Sequence, residues 1–231
     1  LQKADAMRRD FVANVSHEMR TPITVLMGFL ETVQSLELEK NQREQYFDMM
    51  MSQAQRMKSL VEDLLTLANL EANSLPAATN QVNVETLMAL LKNDAEALSH
   101  GNHSFTFEVL NKNNLLGDER EILSAFSNLV SNAIRYTPDS GAIDVTWKLN
   151  ADGQGEFSVK DSGPGIASEH LSRLTERFYR VDRSRSRDTG GTGLGLAIVK
   201  HIASRHQAQL IIESTPGKGS TFILRFPKER I

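Results

Sequence analysis

Through residues 1–72 the apolar side chains recur every three or four positions, and that phasing admits little besides paired helices. Val12, Val15, Met19, Pro22, Leu26, Phe29, Val33 and Leu36 form one series; Phe47, Met50, Ala54, Met57, Val61, Leu64 and Ala68 form a second. The first helix is expected over residues 1–38. Glu37-Leu38-Glu39-Lys40 connects the two, and Asn41 with Glu44 reads as a capping box opening the second. The predicted unit is an all-α antiparallel helical hairpin. Phe11, Ile23, Leu30, Leu60 and Leu65 lie outside its seam. A lone hairpin cannot bury them, whereas two hairpins paired into a four-helix bundle would, so the pattern predicts a homodimer. Packing of the hairpin on the chain's own second domain is the alternative.

The period changes after Asn73-Ser74-Leu75-Pro76-Ala77-Ala78-Thr79-Asn80, a small, polar, proline-bearing stretch that reads as a linker. Beyond it come a short strand near Val82, a helix over 85–99 and an alternating strand over 104–109. A helix over 119–135, strands over 143–149 and 156–160, a helix over 194–205 and strands over 210–213 and 221–226 complete the series. Helices interspersed with hairpin-spaced strands predict an α/β sandwich, one sheet covered by helices. The expected organisation is hairpin 1–72, linker 73–80 and α/β domain 81–231.

The net charge of −3 over 231 residues gives no basic field, so direct nucleic-acid binding has no electrostatic support. The absence of cysteine excludes disulfides and thiolate metal sites and fits a reducing compartment. No apolar run reaches the roughly 20 residues of a membrane helix. The first ten residues are already helix-compatible without an N-cap, which predicts that an upstream part is missing.

The chemistry begins at Ser16-His17-Glu18-Met19-Arg20-Thr21-Pro22. In the heptad register His17 falls at the outermost position. Thr21, four residues on, shares its face, and Glu18 lies about 100° round the helix. Pro22 leaves the Glu18 carbonyl without its helical donor and bends the helix beside the imidazole. An exposed imidazole with a neighbouring carboxylate suits a nucleophile oriented by a general base. By itself such a histidine reads more readily as an ordinary surface residue; the clusters downstream decide against that reading.

Four further clusters stand in the second domain. Asn128, Asn132 and Arg135 share one helical face, with Tyr136 adjacent; an amide oxygen suits Mg²⁺ and a guanidinium suits phosphate. Asp161-Ser162-Gly163-Pro164-Gly165-Ile166 follows a strand. Its glycines admit close backbone approach, and its carboxylate can accept from an adenine amino group. Gly190-Gly191-Thr192-Gly193-Leu194-Gly195-Leu196 opens a helix whose free amides favour phosphate. It is neither a Walker A loop, having no Lys-Ser/Thr after the glycines, nor a Rossmann fingerprint, having no strand leading in. Between these runs the arginine-rich segment 176–187, including Arg180, which reads as a lid with Phe178 at its base. Each cluster alone also admits a plain reading as a solvated face, a tight turn or a basic loop.

The stretch from Phe11 to Pro22 resembles the H-box of sensor histidine kinases, with Met19 and Ile23 where leucine is more usual. The four clusters, in this order, resemble the N, G1, F and G2 boxes of that family's ATP-binding domain, a fold shared with gyrase, the heat-shock chaperone and mismatch-repair ATPases. The resemblance implies ATP and Mg²⁺ as cofactors. It makes Asn132 the Mg²⁺ ligand with Asn128 beside it, and Asp161 the adenine reader. Arg135 and Arg180 would contact phosphates, Tyr136 the base or ribose, and Thr221 the adenine region from the last strand. His17 would be phosphorylated with Glu18 as base. The phosphoryl group would pass to an aspartate in the receiver domain of a DNA-binding response regulator. Thr21 would position a water for the reverse, phosphatase step. The resemblance further implies the cytoplasmic portion of a bacterial inner-membrane sensor, membrane-linked only through the missing segment, with phosphate limitation as the expected signal. A conformational ATPase and a non-catalytic dimeric relay module are the alternatives.

Overall fold

The structure, a computed structural model, describes residues 2–72, 80–181 and 191–231. Most of the expected linker, the lid residues from Asp182 to Arg187 and Gly190 lie outside the described residues. Two long helices, α1 (Gln2–Ser35) and α2 (Lys40–Ala72), form the hairpin. The second unit follows as β1 (Gln81–Val82), α3 (Val84–Ser99), β2 (Ser104–Val109), β3 (Leu115–Leu116), α4 (Glu119–Tyr136), β4 (Ala142–Leu149) and β5 (Gly155–Asp161). It continues with α5 (Ser168–Leu171), α6 (Gly195–Arg205), β6 (Gln209–Thr215), β7 (Gly219–Phe226) and a 3₁₀ turn (Lys228–Arg230). No described helix is long and apolar enough to cross a membrane.

The turn of the hairpin differs from expectation. The second helix opens at Lys40, so its cap is Glu39, whose N–H donates to Gln42 Oε1 at 3.2 Å. That is the N3-to-N-cap half of a capping box, set two residues before Asn41. Glu44 is not used there; it pairs with Lys40 at 3.8 Å. Pro22 lies inside α1 without ending it.

The inward face of α2 departs from the expected seam, whose Phe47, Ala54, Val61 and Ala68 are exposed. Both flanks of that seam are apolar, and packing on the second unit selects the flank that carries Leu60, Leu67 and Leu70. Leu60, Leu67 and Leu70 turn inward and are buried, while Phe47, Val61 and Leu65 remain exposed, as do Ile23, Met27 and Leu30 of α1. Of the five residues expected outside the seam, Leu60 is therefore buried, and Phe11 is half-buried, its ring 5.9 Å from that of Phe178.

In the second unit β2-β4-β5-β7-β6 form one sheet. β2 runs parallel to β4, reached through α4, and the other pairs are antiparallel. Alternate residues drive the layering. Ile143, Val145, Trp147, Phe157, Val159, Phe222, Leu224 and Phe226 are buried against α3, α4 and α6. Phe126 of α4 stacks on Phe157 of β5 with centroids 3.7 Å apart. This is the expected α/β sandwich.

Side-chain caps open α3 and α4. Asn83 Oδ1 accepts from Thr86 N–H at the start of α3. Asp118 Oδ1 accepts from the N–H groups of Arg120 and Glu121 at 3.0 Å each, opening α4, with Glu119 and Glu121 favourable at its positive end. The hairpin also joins the second unit. Arg205 of α6 grips Glu121 through Nε and Nη2 at 2.9 and 2.8 Å, and its Nη1 donates to the Leu70 carbonyl at 2.9 Å. Leu67 and Leu70 accordingly belong to the same buried cluster as the sheet and its helices.

Candidate functional site

Three chain segments converge where α4 ends, β5 ends and α6 begins. At β5 the buried Asp161 accepts from Gly163 N–H at 2.9 Å and Ser220 N–H at 3.2 Å, both on Oδ1. Oδ2 remains to accept from a ligand. Burial pushes this carboxyl above its ordinary range, and the two backbone donors oppose that rise. A side chain on Gly163 would meet Asp161 Oδ1 and the Tyr136 carbonyl, which explains the bare backbone between them. Gly165 has φ +69°, which L side chains rarely adopt, and Ile166 N–H donates to Ser214 Oγ at 2.8 Å.

From α4, Asn128, Asn132 and Arg135 lie half-buried on one face, and Tyr136 is exposed at the helix end. Arg135 Nη1 donates to Asn132 Oδ1 at 3.4 Å. The glycine segment completes the wall. A methyl built on Gly195 would strike Asn128 Oδ1, and one built on Gly191 would sit 3.4 Å from both Arg135 Nη1 and Arg180 Nη2. Arg135, Arg180 and the loop at α6 thus meet at one point. Gly193, at φ +75°, accepts through its carbonyl from Phe178 N–H at 2.9 Å, and Leu194 is fully buried as the residue before α6. Arg180 Nε and Nη2 are buried and make no hydrogen bond among the described residues. Burial lowers the Arg180 pKa, with Glu18 opposing and Arg56 reinforcing. A cation with unused donors beside a glycine loop fits an incoming polyanion.

Thr221 stands elsewhere. The register pairs Asp161 with Ser220 and Lys160 with Thr221, so Ser220 shares the buried face of Asp161 while Thr221 turns to the opposite face of the sheet. Ser220 is the residue of the last strand that supports Asp161. Counting alternation back from Phe222, which is buried, would have found it in the sequence.

On the hairpin, His17 and Thr21 are both exposed; Thr21 Oγ1 donates to the His17 carbonyl at 3.3 Å. Glu18 turns to α2 and pairs with Arg56 at 3.4 Å, so the expected contact with the His17 ring is not made in this arrangement. The reason is the angular offset of about 100° between successive residues. Neither Arg56 nor the approach of Arg180 to Glu18 left a signal in the sequence. Among the described residues no group of three carboxylates, imidazoles or thiolates could cage a metal. Neutral amide oxygens such as that of Asn132 fit a Mg²⁺ whose other ligands are phosphates and water.

Residues 7–73 match the His Kinase A (phospho-acceptor) domain, and residues 117–230 match the histidine kinase-, DNA gyrase B-, and HSP90-like ATPase family. The chain is 51% identical over its whole length to the phosphate regulon sensor protein PhoR of Pseudomonas aeruginosa, covering 52% of that protein. It is 38% identical to PhoR of Haemophilus influenzae, over 96% of this chain and 52% of that protein. The chain thus spans about half the length of the curated relatives it matches. Its fold also matches that of a histidine kinase, ThkA, solved in complex with the response regulator protein TrrA. The TM-score is 0.79 at 23% identity, over 98% of this chain and 64% of that one.

Proposed function

This chain belongs to the sensor histidine kinases, and from that premise we propose that it is an ATP-dependent autokinase core whose phospho-acceptor is His17. One observation carries the reading. The exposed imidazole stands on α1 next to Glu18, and Glu18 lies close enough to Arg180 of the glycine-and-arginine site to oppose the lowering of that arginine's pKa by burial.

Phosphoryl transfer is governed by alignment and charge stabilisation more than by covalent help from the protein. Asp161 Oδ2 accepts from the adenine amino group, with Ser220 N–H fixing the other oxygen. Tyr136 lies along the base or ribose, and Gly163, Gly165 and Ile166 shape the base pocket. Gly191, Thr192, Gly193, Leu194 and Gly195 present backbone and the start of α6 to the phosphates. Arg135 and Arg180 hold phosphate oxygens. Mg²⁺, held by Asn132 with Asn128 beside it, would offset charge building on those oxygens. A ring nitrogen of His17 attacks the γ-phosphorus as the bond to the β–γ bridging oxygen breaks and ADP leaves. Glu18 takes the proton from the other ring nitrogen, which requires it to turn away from Arg56. Residues 73–80, between a hairpin over 1–72 and an ATP-binding domain over 81–231, allow the approach.

The phosphoryl group then passes to an aspartate of a response regulator receiver domain, a partner supported by the likeness to ThkA. Thr21, on the His17 face, positions the water of a phosphatase step. The exposed series Ile23, Met27, Leu30, Phe47, Val61 and Leu65 supports a homodimer through a four-helix bundle. The PhoR relatives, phosphate regulon sensor proteins, support phosphate limitation as the signal. A DNA-binding regulator as the target and an inner-membrane setting for the whole protein are what the family resemblance implies.

The test compares ATP labelled at the γ position with ATP labelled at the α position. Only the γ label transfers to the chain, and His17→Gln loses the label while still binding ATP. Labelling of His17→Gln to the wild-type extent would refute His17 as acceptor. In a parallel assay Thr21→Ala loses regulator dephosphorylation and keeps autokinase activity; retained phosphatase activity would end that assignment.

A further inference from the structure

The phosphate end of the site is engaged by the hairpin itself. Thr192 Oγ1 donates to Asp63 Oδ2 of α2 at 2.6 Å and accepts from Leu194 N–H at 3.2 Å. Asp63 therefore reaches, through one hydroxyl, the first turn of α6, and Arg135 acts on the same carboxylate as its favourable charge. Hydroxyl, helix start and guanidinium, the groups this carboxylate engages, are what a phosphate oxygen would meet there in its place. Burial raises the Asp63 pKa, while Thr192 and Arg135 lower it, so the site supplies part of what the carboxylate loses in leaving water.

Beyond this contact the junction holds the buried Leu67 and Leu70 and the bond from Arg205 to the Leu70 carbonyl. Arg177 pairs with Glu71, Arg177 also stands 5.1 Å over the Phe11 ring, and a cavity of 260 Å³ remains among Phe11, Val15, Leu64, Leu67 and Arg177.

We propose that Asp63 is an internal substitute for a nucleotide phosphate: its carboxylate holds the triphosphate end of the site while the ATP-binding domain is docked on the hairpin, and incoming nucleotide displaces it. The proposal rests on the reading of this site as an ATP site. One carboxylate carries a single negative charge, whereas a triphosphate brings several to the same Arg135 and to the unused donors of Arg180, so exchange favours the nucleotide. Thr192 is released to donate to the phosphate. By linkage, nucleotide binding and hairpin docking oppose one another, and whatever weakens docking strengthens nucleotide binding.

The experiment titrates the intact chain with a non-hydrolysable ATP analogue and, separately, with adenosine. Asp63→Ala is expected to bind the analogue about fivefold or more tightly than wild type. Adenosine affinity stays unchanged, and Asp48→Ala, an exposed carboxylate farther along the same helix, matches wild type. Asp63→Asn, which keeps shape and an acceptor but not the charge, also gains affinity for the analogue. Unchanged analogue affinity in both Asp63 variants overturns the proposal, and so does an equal gain for adenosine. If wild type and variants bind neither ligand, the ATP reading itself fails, and the proposal with it. Because the chain has no cysteine, dyes on Gln55→Cys and Asp152→Cys report docking directly. The analogue shifts their energy transfer in wild type, and Asp63→Ala starts from the shifted value. A wild-type signal indifferent to saturating analogue overturns displacement.

Discussion

Arg205 links Glu121 of α4 to the Leu70 carbonyl of α2, which makes its removal informative. Its fork meets both oxygens of Glu121, and its remaining nitrogen donates to the Leu70 carbonyl near the end of α2. Arg205 is 8% exposed and the Glu121 side chain 17%. Removing one member of a buried ion pair costs about 3–5 kcal/mol, because the other charge is stranded. The residual exposure of Glu121 places Arg205→Ala at the lower end, about 3 kcal/mol. For a domain of this size about 2–4 °C of Tm accompanies each kcal/mol, so the expected drop is about 6–12 °C. The assay is thermal unfolding of the α/β unit followed by near-UV circular dichroism. Arg205→Lys, which keeps charge but loses the fork, should fall between. Glu121→Leu with Arg205→Met should be less destabilised than the sum of the singles, by about 2 kcal/mol. A drop below about 2 °C for Arg205→Ala, with additive effects in the double variant, would refute the reasoning: the pair would then behave as a surface contact.

Two further outcomes follow from the geometry. His206 is fully buried, accepts from Asp118 N–H on Nε2 at 3.1 Å and lies 2.9 Å from the Ile202 carbonyl on Nδ1, which assigns the neutral Nδ1–H tautomer. Burial holds its pKa below the ordinary range, so the unfolded chain binds the proton first and stability falls as pH drops through about 6.5. His201, also lowered by burial, has the same sign. His206→Gln should flatten the Tm profile between about pH 7.5 and 5.5, and a slope equal to wild type would exclude His206 as its source. Asp161→Asn keeps an acceptor for Gly163 and Ser220 but turns a donor toward the adenine amino group. It should weaken ATP about 10–100-fold with little change in Tm. Intact affinity would remove Asp161 from the base pocket.

The elements with a sustained period were legible in the sequence. Both hairpin helices, the strand over 104–109 and the helix ending at the Asn128–Tyr136 face stand close to where phasing put them. β3 was missed because two residues carry no period, and its pairing with β1 is settled by tertiary packing. The cap at Glu39 was missed because Asn41 is the stronger local former. Motif matching points to Thr221 because it ignores which face a strand residue takes, and the register puts Ser220 on the face of Asp161. Convergence of the Asp161, Arg135 and glycine segments was readable as chemistry. Asp63, Arg56 and Arg205 were not, since each acts on a partner at least 38 residues away and shows no local pattern.

The central claim is that His17 receives the γ-phosphoryl group. The direct measurement is to digest the chain after reaction with γ-labelled ATP and Mg²⁺ and to map the label by peptide. The account predicts an acid-labile, base-stable phosphate on the peptide containing His17. A label that survives acid, or one mapped to another peptide, would contradict it.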